Sequence, residues 1–139
     1  MPRKPKTTVA GEPFARSCCP LSCALDILGD GWSLLVVRDL LMGKTRYCEF
    51  LASAEGIPTN ILADRLKRLQ HAQVVVKELY QENPPRAAYY LTPKGRDLGP
   101  VVLAMCAWVS RHYEGTWEPP AEWPQAEIRE PAVSPSAGG

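Results

Sequence analysis

Ile57-Pro58-Thr59-Asn60-Ile61-Leu62-Ala63-Asp64-Arg65-Leu66-Lys67-Arg68-Leu69 is the stretch whose reading decides the fold. Leu62, Leu66 and Leu69 recur at four- and three-residue spacing, which places them on one stripe of an α-helix. Thr59 is a good residue to cap the start of that helix, and Asn60, Ala63, Asp64 and Lys67 fall on the opposite side. Arg65, Lys67 and Arg68 make the second half basic, with Asp64 as a partial offset. A short helix from Tyr47 to Ala54 is expected just before it, joined through Glu55-Gly56-Ile57-Pro58. Two helices across a tight glycine-containing turn, the second basic and polar on one side, form the helix-turn-helix pattern. An ordinary amphipathic helix with a solvated face shows the same residues, so the flanking sequence has to decide.

Downstream the period changes. Val74 to Tyr80 and Ala87 to Leu91 are β-branched and aromatic runs, and Gln81-Glu82-Asn83-Pro84-Pro85-Arg86 between them carries the Asn-Pro and Pro-Pro pairs of a loop. A hairpin is expected. Upstream, Pro20 to Leu28 places Leu21, Ala24, Leu25 and Leu28 on one helical face. Gly29-Asp30-Gly31 ends that helix. Trp32 to Met42 is apolar nearly all round and reads as the central buried helix, with Gly43 as its left-handed stop. Arg38 and Asp39 interrupt it and should face solvent or pair; Trp32 should anchor the core. Lys44 to Tyr47 has room for a very short strand. Helices, the last of them basic, followed at once by a hairpin is the order of a winged helix. The fold class is therefore α+β and mostly helical, a winged helix-turn-helix domain with a β-hairpin wing. Arg86 lies where a wing would touch the DNA backbone or minor groove, although a hairpin that only covers the core would look alike. Arg46 joins Thr59, Asn60, Ala63, Asp64, Arg65, Lys67, Arg68 and Arg86 in the candidate DNA-binding set, with Arg65, Lys67 and Arg68 divided between base and phosphate contacts.

The 139 residues make one domain's worth of chain, with 45% apolar residues and a formal charge of only +1. A global field toward a polyanion is excluded, so any nucleic-acid surface must be a local patch. Residues 1–16 hold Arg3, Lys4, Lys6 and Arg16 against Glu12 and read as a flexible basic arm. Residues 118–139 are proline-rich and acidic and read as a disordered tail, leaving 17–117 as the folded domain. Without a long apolar run or a signal-like apolar start, a soluble cytoplasmic protein with no membrane association is expected.

Thr92-Pro93-Lys94-Gly95 reads as the capped start of a last helix, which should run to about Tyr113. Leu98, Val101, Val102, Met105, Trp108 and Val109 repeat along it at helical spacing. So apolar a terminal helix on so small a domain suits a dimer seam, although it could also pack back on the domain's own core.

The five cysteines, Cys18, Cys19, Cys23, Cys48 and Cys106, are an odd number, and free thiols are expected. Cys19 and Cys23 form a C-x₃-C pair with no second cluster to complete a zinc site, so no metal and no cofactor are expected. Pro20 at the first helical position puts Cys19 at the cap, where unpaired N–H groups and the positive helix end favour the thiolate. Cys18 and Cys23 stand close enough in sequence to resolve a sulfenic acid. The alternative is a capping residue of ordinary reactivity. No Ser-His-Asp, Cys-His or paired-carboxylate arrangement is apparent, and an enzyme is not expected.

Together these residues resemble the HxlR-type transcriptional regulators, winged-helix proteins related to the MarR group. The resemblance rests on Cys19-Pro20-Leu21; Gly29 with Gly31-Trp32; Leu34-Leu35-Val36-Val37-Arg38-Asp39-Leu40; and Gly43 with Arg46-Tyr47 and Glu49-Phe50-Leu51. It continues through Ile57-Pro58-Thr59-Asn60, Leu62, Arg65 to Leu69, Pro84-Pro85, Tyr89-Tyr90-Leu91-Thr92, Gly95, Leu98, Pro100 and Trp108. It implies a homodimeric regulator of double-stranded DNA whose dimer forms through the first and last helices. Leu21 and Leu25 would then join the seam. It also implies that Cys19 responds to oxidants or electrophiles, with a small-molecule effector as a further option. A winged helix that reads a protein partner instead of DNA is the competing reading. Two features depart from the pattern: the usual glycine after the recognition helix is absent, the chain reading His71-Ala72-Gln73-Val74, and the acidic extension after residue 117 lies outside it.

Overall fold

The computed structural model describes residues 16–119. The expected basic arm, apart from Arg16, and the acidic tail beyond Pro119 lie outside the described residues. The elements in order are α1 (Pro20–Leu28), α2 (Ser33–Leu41), α3 (Tyr47–Leu51), α4 (Thr59–His71), β1 (Val75–Glu82), β2 (Pro85–Leu91), α5 (Pro93–Arg96) and α6 (Gly99–His112). The helical winged architecture expected from the sequence is present, with one antiparallel two-stranded sheet.

The core lies between α2, α4, the hairpin and the start of α6. Val36, Val37, Leu40 and Leu41 of α2 meet Leu62, Leu66 and Leu69 of α4, with Phe50, Val75, Tyr89, Leu91 and Val102 around them. Trp32 packs against this cluster from the rim, as an anchor should. Gly43, at φ 90°, ends α2 in the left-handed region, where a missing Cβ removes the steric penalty. Asp39 is buried at 3% exposure, and it pairs with Arg38.

Several boundaries differ from the sequence expectation. Pro58, not Thr59, stands at the cap position of α4, and no side chain closes that end. Proline already fixes the cap residue's backbone, at φ −64°, and its carbonyl accepts the Leu62 N–H at 2.9 Å. Lys44–Tyr47 forms no strand. The Thr45 N–H is taken by the Glu49 carboxylate at 3.0 Å, and a single backbone bond, Tyr89 N–H to the Thr45 carbonyl at 2.8 Å, links this segment to the hairpin. The strands run farther than expected, because the turn needs only Asn83 and Pro84, joined by a cis peptide bond.

The single long terminal helix is instead two, α5 and α6. Thr92 does cap α5, accepting the Gly95 N–H at 3.0 Å. Pro100, however, has no N–H to give to a carbonyl four residues back, so the run breaks and restarts at Gly99.

The turn after α4 explains the missing glycine. Gln73 itself occupies the left-handed region at φ 59°. Val74 N–H bonds to the Leu69 carbonyl and Gln73 N–H to the Gln70 carbonyl, both at 2.9 Å, which is the pair of bonds of a Schellman cap. Thr92 Oγ1 donates to the Gln73 carbonyl at 2.6 Å and Lys94 Nζ to the Ala72 carbonyl at 2.8 Å, so the turn is clamped from α5.

Candidate nucleic-acid interface

The candidate interface is built from α3, the turn after it, α4 and the hairpin. Leu62, Leu66 and Leu69 are completely buried, which fixes which side of α4 looks outward. Thr59, Asn60, Ala63, Asp64, Lys67 and Arg68 are all exposed on that outward side. Arg65 is not. Its side chain is 19% exposed, and its Nε donates to Asp30 at 2.6 Å while Nη1 pairs with Asp64. Asp64 also faces Arg68 at 3.9 Å. Lys67 and Arg86 make no ion pair among the described residues, so they are the cations most available to a phosphate.

The turn of the helix-turn-helix is held from below. Gly56 is left-handed at φ 68°, Ile57 is buried, and Glu55 receives both Nη groups of Arg38 at 2.8 Å in a bidentate pair. Arg38 also reaches Asp39 through Nε at 3.1 Å and Nη2 at 2.8 Å, and the Ser53 hydroxyl donates to the other Asp39 oxygen at 2.5 Å. Lys44 donates to Ser53 at 2.9 Å. The Arg38 hydrogen bonds outweigh partial burial and hold the Glu55 carboxyl down at about 2, and the same bonds raise the Arg38 guanidinium above its ordinary value. This network joins α2 to the turn between α3 and α4. The sequence left Arg38 and Asp39 to face solvent or pair; that they pair, and with partners in the turn, is a long-range feature that spacing does not carry.

The hairpin is tied to the same surface. A bulge between Leu79 and Gln81 interrupts the strand register, and the Tyr80 ring lies under the Arg46 guanidinium, 4.5 Å from its centroid. A bulge re-aims one side chain out of the strand's alternation, and the cation over the ring face adds attraction. Arg46 is therefore exposed but seated. Arg86 stands exposed beside the hairpin tip, opposite Gln81, whose side-chain amide donates to the Pro84 carbonyl at 3.2 Å.

Elsewhere, Cys19 stands at the start of α1, as expected, with the five cysteines unpaired. It is exposed, and the Ser22 and then the Leu21 N–H groups at the open helix end lower its thiol below the ordinary value. The residues expected at a dimer seam divide. Leu21, Leu25, Val101, Met105 and Trp108 are 42–67% exposed. Val102 is used in the chain's own core, and Leu98 packs against that core, where α6 meets α2. Val109 is half-buried and lines an apolar groove of about 500 Å³ between α2, α6 and residues 115–117. Among the described residues, no single helix is long and apolar enough to cross a membrane.

A profile for HxlR-like helix-turn-helix proteins matches residues 27–116. The chain belongs to the HxlR family. An uncharacterized HTH-type transcriptional regulator of Synechocystis is 38% identical over 87 residues, which cover 63% of this chain and 64% of that one. The chain thus spans just under two thirds of that relative's length. The HTH-type transcriptional regulator YodB of Bacillus subtilis is 32% identical over 102 residues, 73% of this chain and 91% of YodB. Among solved structures, the redox regulator HypR in its oxidized form superposes with a TM-score of 0.63 at 32% identity. That match covers 70% of this chain and all of HypR. The HxlR match takes in α2 through α6 entire, and with them the turn network, the outward face of α4 and the hairpin.

Proposed function

We propose that this transcriptional regulator of the HxlR type acts as a homodimer on a pseudo-palindromic operator in double-stranded DNA. Two copies of α4 enter successive major grooves, about one helical turn or ~34 Å apart. Asn60 is the side chain suited to pair bidentately with adenine, and Thr59 reaches a base edge or phosphate beside it. Lys67, Arg68 and Arg86 take phosphates, with Arg46 close to the backbone from the wing side. The observation that carries this reading is the outward face of α4, polar and exposed along its length and braced by the Arg38–Glu55 pair beneath its turn.

The dimer is supported by α1, which buries none of its nine residues and turns Leu21 and Leu25 to solvent. A helix so short does not hold together unaided in water. Val101, Met105 and Trp108 offer a matching apolar face on α6. Cys19 lies at the start of α1, so its oxidation or alkylation would alter the seam and, through it, the spacing of the two α4 helices. A differential effect of a few kcal/mol suffices to change operator occupancy. The kinship with the redox regulator HypR supports this part of the proposal.

A mobility-shift titration at fixed salt tests the reading. Asn60→Ala should relax discrimination at one operator position by about 1–3 kcal/mol, and Lys67→Ala should weaken all sequences alike with a shallower salt slope. Unchanged titrations for both variants would remove α4 from the interface. For the sensor, Cys19→Ser should bind DNA normally and ignore oxidant; a retained response would exclude Cys19.

A further inference from the structure

Arg65 is a basic residue on the recognition helix, yet its guanidinium is directed along the flank of α4 toward the corner between α1 and α2. There it meets Asp30, 35 residues earlier in the chain. The Asp30 carboxylate is held by the start of α2: Oδ2 accepts the N–H groups of Trp32 at 3.0 Å and Ser33 at 3.1 Å, and Oδ1 accepts the Ser33 hydroxyl at 2.5 Å. Ser33 is 2% exposed, so the carboxylate is bonded to a buried corner of the fold. We propose that Asp30 is a positioning residue for the recognition helix, and that Arg65 is its strut and not a DNA ligand. The inference rests on the reading that α4 enters the major groove.

The physical case concerns the roll of α4 about its own axis. The leucine stripe holds the helix against the core, but apolar contacts are non-directional and tolerate small rotations. A charge-assisted bond on the flank, anchored on a rigid corner, is directional. With side chains reaching about 6 Å from the helix axis, a roll of about 20° would carry the tips of Asn60 and Lys67 by about 2 Å. A bidentate base contact does not survive such a displacement, since a hydrogen bond is lost within a few tenths of an ångström beyond about 3.2 Å. Desolvation opposes the Asp30 charge, but the Ser33 hydroxyl, Arg65 and the two backbone N–H groups outweigh it and hold the carboxyl at about 2, so the pair stays ionised through the neutral range.

The test uses the intact protein and an operator duplex obtained by selecting genomic fragments with the wild-type protein. Asp30→Asn and Arg65→Gln should each lower operator affinity about tenfold while leaving binding to unrelated duplex unchanged. The double variant should lose the same tenfold, not a hundredfold, because both substitutions break one strut. The salt slope should match wild type in all three. Ser33→Ala, which removes one of the bonds that hold Asp30 but spares the ion pair and both N–H bonds, should lose less than Asp30→Asn; a larger loss would place the effect in the corner and not in the strut. Additive losses, or a salt slope shallower by about one for Arg65→Gln alone, would make Arg65 a phosphate ligand and overturn the proposal. So would unchanged affinity for Asp30→Asn with urea midpoints showing it folded. Should Asp30→Asn fail to fold, Arg65→Lys keeps the charge but not the Nε donor; the same loss is expected, and normal affinity would be equally decisive. Failure of the underlying groove reading would look different: Asn60→Ala would then leave discrimination intact.

Discussion

Asp39→Ala strikes the network beneath the turn at its most enclosed point. The Asp39 side chain is 5% exposed and takes two hydrogen bonds from Arg38, one from Ser53, and the charge of Lys44 at 3.6 Å. Removing one partner of a buried ion pair costs about 3–5 kcal/mol, because the remaining charge is left without compensation. Arg38 would keep its bidentate bond to Glu55, so the lower end of that range applies, about 3 kcal/mol. Asp39→Asn retains the shape and one acceptor oxygen, and the Ser53 hydroxyl can rotate to accept from the new amide. It should lose chiefly the charge assistance of two bonds, about 2 kcal/mol. Urea unfolding followed by circular dichroism, at one protein concentration since a dimer's midpoint depends on it, gives both values. The slope m should stay at the wild-type value. A cost below about 0.5 kcal/mol for the alanine variant would mean that the network is surface decoration and does not brace the turn.

Gln73→Gly should stabilise the protein by about 0.5–1 kcal/mol: relief of the left-handed penalty of about 1–2 kcal/mol exceeds the added chain entropy, and a lower urea midpoint would contradict the Schellman assignment. Gly95→Ala should destabilise strongly, by more than about 2 kcal/mol, since a Cβ there would sit 2.2 Å from the Val74 carbonyl oxygen and 2.9 Å from Leu91 Cδ2; a normal melting temperature would show that α5 can lift off the hairpin. Asp30 and Glu55 both sit at about 2, below their ordinary 3.8 and 4.5. Groups depressed in the folded state contribute stability above their unfolded pKa and lose it as pH falls through the folded one, so urea midpoints should drop between about pH 4.5 and 2. Asp30→Asn should flatten that drop; an equally steep acid limb in the variant would refute the role given to Asp30.

The parts of this protein that follow local rules were legible in its sequence. The leucine spacing of α4, Pro20 behind Cys19, the Thr92-Pro93 start of α5 and the left-handed Gly43 each depend on neighbours within one or two turns, and each stands where it was expected. Two of the departures from expectation have a local signal. Pro100 marked the break before α6, and Pro58 was better suited than Thr59 to fix the entry to α4. What spacing could not reveal was long-range pairing. Nothing near Arg65 in the chain announces Asp30, and nothing near Arg38 announces Glu55, so from spacing alone Arg65 reads as a DNA-facing cation and Arg38 as a residue that faces solvent or pairs. Val102 shares its period with Met105 and Trp108, so spacing alone places it on the same seam; only the packing of α6 on α2 separates the buried from the exposed members.

Methylation interference with dimethyl sulfate on the selected operator tests the central claim most directly, because guanine N7 lies in the major groove. Premethylated guanines should block binding in two tracts whose centres lie about one helical turn, or ~34 Å, apart and are related by a two-fold axis. With Asn60→Ala the two tracts should remain while base preference within them relaxes. Interference in a single tract, at minor-groove adenines only, or nowhere would contradict a homodimer that reads DNA with α4.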